Sequence, residues 1–167
     1  MDSSDVLATI AEIAITLAGF TGLITVFRQH RPWSSQELTR LQTIVAACFV
    51  CMLSALLPLG LAHFSTRSGV VWGVPIAVYA VLHLVILAYL VLRYRDGSFR
   101  PSGLASRMVL LLNALISIVL LFAAFAGPSP GLLVLACTWG IVYPAIGFML
   151  TFVMVTRGDD LTGADGG

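Results

Sequence analysis

The chain has very little charge. Of its 167 residues, 10% are Asp, Glu, Lys or Arg and 59% are hydrophobic. A water-soluble domain carries about a quarter charged residues. So little polar surface cannot cover a globule in water, and the solvent this composition implies is lipid. Lysine is missing altogether, since all nine basic residues are arginine. The net charge is +1, and no basic patch exists beyond the arginines that flank the apolar runs, which excludes a nucleic-acid footprint. A Walker motif, a nucleophile elbow and a zinc spacing such as H-E-x-x-H are also lacking. The expectation is therefore a non-enzymatic protein with no cofactor and no metal. The N-terminus lacks the marks of a signal peptide: MDSSD is acidic where a basic region belongs, and the apolar run behind it is too long and has no small-x-small cleavage site.

Long apolar runs are what the chain does have. Five windows, Val6–Phe27, Leu41–Phe64, Val70–Leu92, Leu104–Phe125 and Leu132–Thr156, each suffice to cross a hydrocarbon layer of about 30 Å, which takes about 20 helical residues. The connections between them are short and leave no room for a soluble domain. The fold expected is all-α, an integral membrane protein of five transmembrane helices forming one domain over residues 1–160, with 161–167 as a disordered tail.

The arginines segregate. Arg28, Arg31 and Arg40 fall at the first connection, Arg93, Arg95, Arg100 and Arg107 at the third, and Arg157 after the fifth run. Only Arg67 falls in the opposite set. By the positive-inside rule this predicts an outer N-terminus and a cytoplasmic C-terminus. An even number of spans would spoil the segregation, which supports five independently.

Local signals refine the helices. Ser34 followed by Glu37 fits a capping box, with Trp33 at interface depth, so the second helix is expected to start near Ser35. Pro58 and Pro144 predict kinks in helices two and five, and Pro75 is placed in the first turn of helix three.

Glu12 is the one charged residue in the first run beyond its entry. A charge at mid-helix costs about 2.5–3.5 kcal/mol on insertion scales, so such a residue usually faces protein or water and marks a site. Asp5, Ala8, Glu12, Thr16, Gly19 and Gly22 or Leu23 fall on one stripe at three- and four-residue spacing. A neighbouring stripe, Ala14, Ala18 and Gly22, is a doubled small-xxx-small pattern suited to close helix packing. These stripes predict that helix one is central and that Glu12 points into the protein or a cavity. There it is either a proton- or cation-binding carboxylate or a neutral carboxyl bonded to a neighbouring helix for assembly.

At a rise of 1.5 Å per residue, Glu12 lies roughly 10 Å below the outer surface and His83 roughly 18 Å. Asn113 and Tyr143 also land near mid-depth. Glu12, Thr16, His83, Asn113 and Tyr143 are thus candidates for a staggered polar path. Asn113, with Ser106 and Ser117 on its face, also suits a role as interhelical glue.

Cys48 and Cys51 form a C-x-x-C, but well inside the second run rather than at an accessible helix start. Cys51 aligns with Ala47 and Ala55, and the reading is packing. A haem is disfavoured because His83, His63 and His30 do not share a depth.

The segment Glu12-Ile13-Ala14-Ile15-Thr16-Leu17-Ala18-Gly19-Phe20-Thr21-Gly22, followed by Arg28 and Trp33-Ser34, resembles the first third of small multi-pass proteins of bacteria. The resemblance covers about residues 10–60. It implies a bacterial inner-membrane location and supplies no activity.

Five short spans enclose little space, so a solute path is expected between copies in a symmetric homo-oligomer. The first functional expectation is an oligomeric cation or proton pathway, with Glu12 as a charged ring and Thr16 and Gly19 below it. The second is a non-catalytic accessory or scaffold subunit that docks a partner membrane subunit through the same helix. The third is a lipid or quinone binder using Trp72, Tyr79 and Tyr89.

Overall fold

The computed structural model of the protein describes residues 3–27, 33–98 and 103–162. They form five helices: α1 (Ser3–Phe27), α2 (Ser35–Phe64), α3 (Ser68–Arg95), α4 (Gly103–Ala126) and α5 (Pro130–Thr162). All five are long and apolar enough to cross a membrane. Lipid offers backbone N–H and C=O groups no partner, so each span must satisfy its own, which a helix does. The hydroxyls follow the same logic. Thr9, Thr16, Thr21, Thr39, Thr43 and Thr138 each donate to the carbonyl four residues back, at 2.7–3.0 Å.

Each expected window lies within one observed helix. The capping box at the start of α2 is complete: the Glu37 N–H donates to Ser34 Oγ at 3.2 Å, and the Ser34 N–H donates to Glu37 Oε2 at 3.0 Å. α2 and α5 run on through Pro58 and Pro144. Pro75 needs correcting. α3 begins at Ser68, so Pro75 is inside the helix and buried rather than in the first turn. It leaves the Val71 carbonyl without its N–H donor. α5 extends to Thr162, and the rest of the expected tail lies outside the described residues, as do Arg28, His30, Arg31 and Arg100.

Neighbouring helices run antiparallel. Gln42 near the start of α2 meets Tyr89 near the end of α3, and Gly73 in α3 packs on Ala124 in α4. Arg40, Arg93, Arg95 and Arg107 therefore gather at one end of the bundle, and Arg67 sits at the other.

The expectation of a central first helix does not hold. α2 is the hub, packing on α1, α3 and α5. α1 lies at one side against α2 and α5, and α4 lies against α3. The reason is visible in the residues. Leu7, Ile10, Ala11 and Ala14 bury one narrow face of α1, whereas α2 buries a broad set that includes Ile44, Ala47, Cys48, Val50, Cys51 and Ala55.

Candidate functional site: the outward face of helix α1

Once Leu7, Ile10, Ala11 and Ala14 turn toward α2 and α5, the helical period fixes the rest of α1. Asp5, Thr9, Glu12, Thr16, Gly19 and Leu23 stand on the opposite face, and all are exposed at the protomer surface. Glu12 does not point into the protein. Its carboxyl makes no hydrogen bond or ion pair with any described residue. Four residues on, Thr16 Oγ1 donates to the Glu12 carbonyl at 2.8 Å. That bond uses the hydroxyl's only proton, so what Thr16 presents outward is an oxygen acceptor. Thr9 is disposed in the same way over Asp5, at 3.0 Å. The stripe is thus a line of carboxylate and hydroxyl oxygens along a helix otherwise surrounded by exposed Ile13, Ile15, Phe20, Leu23 and Val26. Oxygen acceptors in series suit a cation or a proton carried on water.

The small residues divide between two surfaces. Ala14 is fully buried and Ala18 half-buried, while Gly19 and Gly22 are exposed. A side-chain carbon added at Gly19 would meet nothing within 4 Å. Beside the stripe, α1 and α2 leave an open apolar groove of about 310 Å³, lined by Ala14, Ile15, Ala18, Gly19, Cys48 and Phe49 among others.

The other expected site residues do not join Glu12 and Thr16. His83 on α3 is 4% exposed and stacks on Tyr79, with ring centroids 4.3 Å apart. Neither ring nitrogen makes a hydrogen bond of standard geometry, and the same holds for the buried hydroxyls of Tyr79 and Ser54. Tyr79 presses on α5 so closely that a side-chain carbon at Gly140 would sit 2.8 Å from its hydroxyl. Next to this contact the α2 and α5 thiols pair with backbone: Cys51 Sγ donates to the Cys137 carbonyl at 3.2 Å. All three cysteines are buried and free, as packing residues would be.

Asn113 works as glue. Its Nδ2 donates to the Val109 carbonyl at 3.1 Å, and its Oδ1 accepts from Trp139 Nε1 at 2.8 Å, tying α4 to α5. Trp139 is a partner that was not among the residues expected from the sequence. The available signal was an indole N–H far from either interface, which needs an acceptor in the apolar interior. Tyr143 is half-buried on α5. The five candidates therefore split into an outward pair on α1 and separate interior positions on α3, α4 and α5, and among the described residues no hydrogen bond joins the α1 pair to the others or His83, Asn113 and Tyr143 to one another.

No protein-family model, curated protein or solved structure matches the chain.

Proposed function

We propose that this multi-pass membrane protein works as a homo-oligomer whose copies bring the outward faces of α1 together, and that the Glu12 stripe lines a cation or proton pathway between them. The observation that carries the reading is the exposure of Glu12, in line with Asp5, Thr9 and Thr16, on the outside of a membrane-spanning helix. Facing acyl chains, that carboxylate costs about 2.5–3.5 kcal/mol per protomer. Gathered around water, the same side chains are hydrated and the cost disappears. A closed ring supplies such a place, because each copy presents an identical stripe. A ring of carboxylates favours cations, and Leu23, one turn beyond Gly19 on the same face, gives an apolar constriction able to gate by dewetting. In this reading α2 through α5 hold the lining helix, no chemistry is catalysed, and the site of action is a bacterial inner membrane with the arginine-rich end in the cytoplasm.

A second reading draws on the groove beside the stripe. An accessory or scaffold subunit would seat a partner's transmembrane helix there, with Glu12 paired to a polar group of that partner. Proteoliposome flux separates the two. Under a pH or potassium gradient, the wild type is expected to conduct and Glu12→Gln to lose conduction or cation selectivity. No flux from either protein, with a second chain co-purifying only with the wild type, would replace the pathway by the subunit reading.

A further inference from the structure

A second organised polar site lies at the arginine-rich end of the bundle, between α2 and α3. Tyr89 Oη on α3 donates to Gln42 Oε1 on α2 at 2.9 Å. One helical turn further, Arg93 Nε donates to the same Tyr89 oxygen at 3.0 Å. The guanidinium carbon also lies 5.2 Å from the centroid of the Tyr89 ring. Arginine side chains at membrane edges are ordinarily loose. This one is held by its Nε and by the ring, and the holding group is itself pinned to a neighbouring helix.

With Nε occupied, the guanidinium presents Nη1 and Nη2. Neither hydrogen-bonds a described residue. Two coplanar N–H donors of fixed orientation match two oxygens of a phosphate. Val91, Leu92 and Tyr94 around the same turn are exposed and apolar or aromatic, a surface for acyl chains. Arg93 stands two residues from the end of α3, where a membrane-spanning helix is expected to meet the headgroup layer.

We infer that Gln42, Tyr89 and Arg93 form a binding site for the phosphate of an anionic phospholipid, with Arg93 as the phosphate ligand and Tyr89 as its positioning residue. Two features set this apart from general attraction of basic residues to anionic membranes. The site uses one guanidinium of fixed geometry, and it does not extend to Arg95, which is exposed at the same end.

The test is native mass spectrometry of the delipidated full chain in neutral detergent, titrated with phosphatidylglycerol or phosphatidylcholine. The wild type is expected to retain phosphatidylglycerol in preference. Arg93→Gln, which removes the charged two-donor fork, is expected to weaken that retention at least about tenfold. Arg95→Gln, which removes the same charge, should leave it nearly unchanged. Tyr89→Phe keeps the ring and removes both hydrogen bonds, so it should fall between. If Arg93→Gln fails to elute as a folded species, Arg93→Lys serves instead: it keeps the charge, loses the fork, and is expected to lose most of the preference. Equal losses from Arg93→Gln and Arg95→Gln, or equal retention of the two lipids, would overturn the site. Displacement of the lipid by millimolar inorganic phosphate would overturn the lipid assignment in favour of a free-anion site.

Discussion

Helix α1 and the junction of α2, α3 and α5 contain similar residues in opposite settings. Each has glycine, hydroxyls and titratable side chains at membrane depth. At the junction everything is in contact. Tyr79 stacks on His83 and bears on Gly140, and the Cys51 thiol reaches the Cys137 carbonyl. On the outward face of α1, Glu12 and Thr16 make no hydrogen bond or ion pair to another helix among the described residues. Gly19 opens on empty space, and Glu12 and Thr16 face away from α2 and α5. The interior polar groups at the junction are buried. The α1 groups are exposed at the protomer surface, and on the proposed reading the same stripe of another copy meets them. Residue type alone does not distinguish a site from a core, and the direction of the side chain decides it.

Mutations sharpen this contrast. The largest effect is expected at Gly73→Ala, because the added carbon would sit 2.8 Å from the Ala124 backbone oxygen and α3 and α4 would have to separate. Overpacking of this kind costs about 1–3 kcal/mol, readable as a lower midpoint of thermal unfolding in detergent. Gly140→Ala strikes the Tyr79 hydroxyl and should cost somewhat less. Tyr79→Phe removes the obstructing oxygen, so the double variant should regain most of the loss. Failure of that rescue would show that the junction is not held by this contact.

Next comes Asn113→Leu, which breaks the tie to Trp139. Interhelical hydrogen bonds in membranes average about 0.6 kcal/mol, so a small drop is expected, and Trp139→Phe should add little on top of it. The smallest effect on the fold is expected at Gly19→Ala and Glu12→Gln. Exposed positions of this kind stay within about 0.5 kcal/mol. A marked fall in protomer stability from either would place α1's outward face inside the fold and erase the contrast.

Much of the architecture is legible in the sequence, because lipid leaves few choices. Apolar length gives the spans, Ser34 and Glu37 give the start of α2, and alternating arginines match the antiparallel order of the helices. The position of α1 is not legible, since small residues mark a helix that can pack closely without saying on which side. Ala14 packs inward and Gly19, five residues on, faces out. Helical spacing correctly put Glu12, Thr16 and Gly19 on one stripe. Whether that stripe faced its own bundle depended on the rotation of α1 against α2, which is set by long-range contacts of Leu7, Ile10 and Ala11. The tie between Asn113 and Trp139 is a similar case: each residue calls for a partner, and only the fold names it.

The most direct test is disulfide crosslinking in native membranes. Cys48, Cys51 and Cys137 are buried, so new surface cysteines report alone. Thr16→Cys on α1 is expected to give a covalent dimer under mild oxidation, whereas Leu111→Cys, 67% exposed on α4, is not. Dimers at Thr16→Cys alone would place the Glu12 stripes of two copies face to face. No dimer at Thr16→Cys, or equal dimer at both positions, would contradict an assembly through α1.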